Sequence, residues 1–162
     1  MQPYSCINTN FSYLCFETLT NTKYYNMKDT IQKEATFKSD INSVWNAISK
    51  QEEISKWFLE ADFKAEKGYA YTFSSKDEGC EPIIGIVISA DPYLLIYTWE
   101  VKGTNIETTV EWKLEAINGG TKLTLEHSGI SNYAADTAIK MFESFSGGWD
   151  NCINGLTGFL GN

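Results

Sequence analysis

The chain holds one histidine, His127, and by type it is the residue best suited to chemistry. Imidazole changes charge near neutral pH, and either ring nitrogen can engage a ligand oxygen. His127 follows Leu123 and Leu125 at alternate positions, so on a strand all three share one face. Three roles fit that placement: a polar anchor for a ligand oxygen, a general acid or base, or a core histidine satisfied by a backbone or tyrosine partner. Tyr71 and Tyr97 add hydroxyls that need partners if they point inward. Other catalytic patterns are missing: there is no Gly-x-Ser-x-Gly, no phosphate-cradling loop and no Cys/His pair with an orienting third group. Cys6, Cys15, Cys80 and Cys152 make no Cys-x-x-Cys, and one histidine supplies no zinc spacing. No catalytic residue, metal or cofactor is assigned.

The elements that must position these groups are aromatic. Tyr69, Tyr71 and Phe73 alternate on one segment, Tyr97 and Trp99 on a second, and Val110, Trp112 and Leu114 on a third. An antiparallel sheet with one aromatic face must cover that face, and a long helix is the natural cover. Large rings between a curved sheet and a helix readily leave a cavity, and apolar cavities take ligands. The candidate ligand-binding set is therefore Trp57, Phe58, Tyr71, Phe73, Tyr97, Trp99, Trp112, His127, Phe142, Phe145 and Trp149. Plain core packing is the competing reading, since each such ring buries on the order of 150–250 Å².

Period-2 alternation predicts a first strand over 30–38. Ser39 and Asp40 are N-cap candidates for a short helix whose apolar face is Ile41, Val44, Trp45 and Ile48. Ser49 and Glu52 fit a capping box opening a second helix, with Ile54, Trp57 and Phe58 on its apolar face. Strands follow: Leu59, Ala61, Phe63 and Ala65; then 69–74; then Ile83–Ile88, expected to be buried over most of its length; then 93–101, 107–117 and 121–128. Asn118, Gly119 and Gly120 read as a hairpin loop. Beyond Gly129 the period becomes helical, with Ala138, Met141, Phe142, Phe145, Trp149, Cys152, Ile153, Leu156, Phe159 and Leu160 near one face. Gly147 and Gly148 interrupt it and predict a kink or a close approach to the sheet. Glu111, Glu115 and Glu126 alternate outward, into solvent.

The 162 residues suit one domain, and 43% hydrophobic and 14% aromatic content mark a globular chain. Net charge is -8, and all 13 basic residues are lysine. Without arginine or a basic surface, nucleic acid is excluded as a partner, and the acidic balance argues against an anionic membrane. Residues 1–28 lack periodicity, a basic start and a sustained apolar core, so they read as an N-terminal extension and not as a signal peptide. The patch Phe11–Phe16 is too short to span a bilayer. A disulfide between Cys6 and Cys15 is conceivable, but reduced thiols and a cytoplasmic location are expected. The domain is placed at 29–162.

In order along the chain stand Val44-Trp45, Trp57-Phe58, Tyr97-Thr98-Trp99, Thr109-Val110-Glu111-Trp112, Gly119-Gly120-Thr121-Lys122-Leu123, His127-Ser128-Gly129 and Gly148-Trp149. This ordered set, over about residues 30–160, resembles the START-like (birch-pollen-allergen-like, SRPBCC) superfamily. Within it, the chain is most similar to the branch of activators of the ninety-kilodalton heat-shock chaperone ATPase, of the stand-alone bacterial type. The resemblance implies an α+β helix-grip fold: a curved antiparallel sheet of about seven strands, ordered β-α-α-β6-α, wrapped around a long C-terminal helix. It implies an apolar or aromatic small-molecule ligand held between sheet and helix. Trp57 and Phe58 would frame the pocket mouth, and His127, Tyr97 and Tyr71 would orient polar groups. It offers a chaperone as an alternative partner, although residues 1–28 are too short for the second domain of the eukaryotic co-chaperones. Small cyclases or dehydratases of aromatic polyketides are the third alternative. Relatives often carry an acidic residue after Gly85; Ile86 stands there in this chain, and if it faces inward the cavity is more apolar than usual.

Overall fold

The computed structural model describes residues 28–161. The disulfide considered between Cys6 and Cys15 and the apolar patch Phe11–Phe16 lie outside the described residues. The element order is β1 (Ile31–Phe37), α1 (Ile41–Ser49), α2 (Gln51–Trp57), β2 (Glu60–Asp62), β3 (Ala70–Ser74), β4 (Ile83–Asp91), β5 (Leu94–Val101), β6 (Glu107–Ile117), β7 (Gly120–Ser128), a 3₁₀ turn (Ile130–Asn132) and α3 (Ala135–Leu160). The strands form one antiparallel sheet in the order β1-β7-β6-β5-β4-β3-β2. This is the helix-grip architecture that the family resemblance implies, with the element order read from the periods and α3 laid over the aromatic face.

Local chemistry sets the boundaries. Asp40 caps α1 by accepting from the amides of Asn42 and Ser43 at 3.0 and 3.1 Å. The capping box expected at Ser49 does not form. The Ser49 hydroxyl donates back to Trp45 O at 2.6 Å, so Ser49 ends α1 and Lys50 joins the two helices. A serine can bond its own preceding turn as readily as cap the next helix, and here the preceding turn wins. The second strand is shorter than its pattern: only Glu60–Asp62 pairs with β3, and Lys64 makes an isolated bridge to Lys50.

Strand β4 corrects another expectation. Ile83 and Val87 are buried, but Ile86 is 49% exposed and Ile88 is 42% exposed. Up to Val87 the strand alternates regularly, and the register shifts only beyond it, between Val87 and Ser89. Ile86 faces outward, so it does not make the interior more apolar. Gly85 is the telling position on this strand. It pairs with Tyr71, and a Cβ there would lie 2.0 Å from Thr98 O and 2.8 Å from Tyr71 Cε1. The missing side chain is the seat of the Tyr71 ring.

Helix α3 is continuous through Gly147 and Gly148, and a Cβ on either glycine would meet nothing within 4 Å. The expected close approach to the sheet is absent; the two glycines sit on the solvent side. The buried stripe is Ala138, Met141, Phe145, Trp149, Cys152 and Leu156, at steps of three and four. Phe142, Ile153 and Leu160 flank it, and Phe159 is exposed. The helix is entered through a turn pinned by Asp29, whose carboxylate accepts from the amides of Ser131 at 2.8 Å and Gly129 at 3.3 Å. Gly129 takes a left-handed conformation there (φ 85°), which glycine adopts without strain. Cys80 is disulfide-bonded, so the expectation of reduced thiols is corrected at that position. Cys152 is free and buried, and burial pushes its thiol pKa up.

Candidate ligand site

The inward face of β3, β5 and β6 carries Tyr71, Phe73, Tyr97, Trp99 and Trp112, all buried. Helix α3 lays Phe145 and Trp149 onto them, and Phe58 reaches in from the end of α2. The rings form one connected layer. Tyr71 lies 4.7 Å from Phe73 and 5.1 Å from Tyr97, centre to centre. Trp99 lies 5.1 Å from Trp149, and Phe58 stacks on Trp149 at 6.3 Å. Trp57 lies 5.5 Å from Phe58 and donates its indole hydrogen to Ala47 O at 2.9 Å, which ties α2 to α1.

The layer satisfies most of its own polar atoms. The indole of Trp112 donates to Tyr97 Oη at 2.7 Å, and Tyr71 Oη donates to Thr98 O at 2.6 Å. Burial raises the pKa of both tyrosines, so both stay protonated. His127 is fully buried at the centre of a relay. Trp149 Nε1 donates to His127 Nδ1 at 2.9 Å, and Thr108 Oγ1 donates to Trp99 O at 3.0 Å. These two bonds assign the proton on His127: Nδ1 accepts, so Nε2 carries hydrogen and donates to Thr108 Oγ1 at 2.7 Å. Burial lowers its pKa to about 3, so the ring is neutral. Both nitrogens are engaged by protein groups.

Space for a ligand lies at one end of this layer. A cleft of about 620 Å³ opens between the β5–β6 connection and the start of α3. Its apolar wall is Val101, Ile106, Tyr133 and Met141; Thr104 and Thr137 add hydroxyls, and Glu81 and Lys102 bring opposite charges. Tyr133 is 5% exposed, and its hydroxyl has no hydrogen-bond partner. Burial raises its pKa, with nearby Thr104 acting in the opposite direction. The Thr104 hydrogen itself goes to Val101 O at 2.8 Å.

The structure brings Trp57, Phe58, Tyr71, Phe73, Tyr97, Trp99, Trp112, His127, Phe145 and Trp149 together through ring contacts. Phe142 stands at the half-buried edge of the core. None of these residues lines the cleft. Phe63 belongs to the layer, 5.6 Å from Phe73 and 6.1 Å from Tyr97; its alternation with Ala61 was the available signal. Tyr133 had none, because it lies between a 3₁₀ turn and a helix, where no period marks a face. Among the described residues no group of three His, Cys, Asp or Glu side chains could hold a metal ion. No helix of the described residues is long and apolar enough to cross a membrane.

The fold is similar to solved structures. Protein MLL2253 from Mesorhizobium loti matches at TM-score 0.72 and 22% identity, over 81% of this chain and 96% of that one. Protein BH1534 from Bacillus halodurans matches at TM-score 0.65 and 28% identity, over 81% and 96%. DynU16, a protein of the dynemicin biosynthetic locus, matches at TM-score 0.71 and 19% identity, over 82% of this chain and 47% of that one. Among curated proteins none matches the chain. The family model described as Activator of Hsp90 ATPase homolog 1-like protein matches residues 38–161.

Proposed function

Because the chain belongs to the Activator of Hsp90 ATPase homolog 1-like family, we propose that it is a helix-grip binding protein for a small apolar or aromatic molecule. The ligand enters the cleft between the β5–β6 connection and the start of α3, and the aromatic layer packs behind its Tyr133 wall through Phe145. The cleft itself carries this reading. Its volume of about 620 Å³ falls within the range of small-molecule sites, and its lining joins an apolar wall to a few polar groups. Affinity would come mainly from burial: ~200 Å² of apolar ligand surface contributes roughly 5 kcal/mol before ordering costs. The aromatic residues further in would act through packing, because His127, Tyr71 and Tyr97 already hold protein partners.

The test is ligand-dependent melting across flavonoids, fatty acids, sterols and aromatic polyketides. A ligand that binds only the folded chain raises the midpoint as its concentration exceeds its Kd. A shift for one chemical class in the wild type, abolished in Thr137→Trp, supports the cleft. A shift that survives Thr137→Trp moves the ligand elsewhere, and no shift with any class counts against small-molecule binding.

A further inference from the structure

We infer that the cleft selects neutral ligands carrying a carbonyl-type hydrogen-bond acceptor, and that Tyr133 is the residue that reads it. This rests on the cleft being the ligand site. The observation is a local failure of an otherwise complete hydrogen-bond network. Trp57, Trp112 and Trp149 each donate the indole hydrogen to a named acceptor. Trp99, only 5% exposed, does not, and neither does the hydroxyl of Tyr133. Both rings contact Phe145, each at 6.3 Å centre to centre. Of the two, only Tyr133 lines the cleft, so its hydroxyl is the unmet polar group that a ligand there can reach.

The kind of demand defines the ligand. An indole N–H is only a donor, and a buried phenol held well protonated is foremost a donor. The Tyr133 hydroxyl makes no hydrogen bond to Thr104 Oγ1, whose own hydrogen goes to Val101 O. What is wanted is an acceptor, and a carbonyl oxygen with two lone pairs supplies it from an apolar body. An amine N–H or a bare hydrocarbon does not. Glu81 and Lys102 both border the cleft with opposite charges, so its rim gives no preference for an anion or a cation.

Fluorene and 9-fluorenone share one rigid skeleton and differ at one carbon. Their affinities are measured by quenching of tryptophan fluorescence in the wild type, Tyr133→Phe and Thr137→Trp. The inference expects the ketone to bind the wild type about tenfold more tightly than the hydrocarbon. Tyr133→Phe should remove that preference and leave fluorene unchanged, and Thr137→Trp should weaken both. The apo melting temperature of Tyr133→Phe should equal or exceed that of the wild type, since the lost hydroxyl has no partner to forfeit. Equal binding of both probes, or a preference that survives Tyr133→Phe, overturns the role of Tyr133 while keeping the cleft. Failure of both probes to bind the wild type overturns the cleft reading and this inference with it.

Discussion

His127 is neutral in the folded protein because charging it would place an ion in a fully buried site and break a bond. Protonated Nδ1 could no longer accept from Trp149. Its folded pKa of about 3 lies below the ordinary 6.5. The unfolded chain therefore takes up a proton first as pH falls. The stability contribution is complete above 6.5, declines through the window between 6.5 and 3, and is gone below it. Each pH unit in that window costs about 1.4 kcal/mol, so going from pH 6.5 to 5 should cost about 2 kcal/mol. Because the chain has one histidine, His127→Gln should flatten that pH dependence in urea titrations; an unchanged slope would show that another group carries it. Gly85 makes a second point at this scale. Gly85→Ala forces a Cβ into Thr98 O and the Tyr71 ring, and should cost about 3 kcal/mol or more by the same titration. A neutral result would mean that β4 can move away from β5 at no cost.

Among the elements, α3 offers a gain where the sequence suggested a constraint. Gly147 and Gly148 face open space in a continuous helix. Gly148→Ala should therefore stabilise the protein by about 1 kcal/mol through helix propensity. A loss would reveal a close neighbour of that face. The strands and the α3 stripe were legible because burial of one face imposes a period on the sequence, as in Ile31 to Phe37 and in Leu123, Leu125 and His127. The exceptions have local causes. The face of β4 was hidden because its outward positions Ile84, Ile86 and Ile88 are as apolar as its inward ones. The helix junction was hidden because Ser49 had two competing partners for one hydroxyl. The aromatic layer was named almost whole from alternation. The cleft was not, because Tyr133, Thr104 and Ile106 sit in connections whose facing is fixed by turns rather than by a repeat.

At the scale of the whole molecule, the interior divides into two parts. The centre is a packed aromatic layer whose polar atoms, the Trp99 indole apart, are paired, and this part holds the sheet and helix together. The end beside Tyr133 has volume, an apolar wall and one unmet hydroxyl. The central claim is that the second part takes the ligand and the first supports it. Chemical-shift perturbation of backbone amides in a titration with 9-fluorenone tests this most directly. The account predicts that the largest shifts cluster at Val101–Ile106 and at Tyr133–Met141, with smaller ones around Phe145. Shifts centred on Trp57, Phe58, Tyr71 and Phe73, with the cleft residues silent, would contradict it.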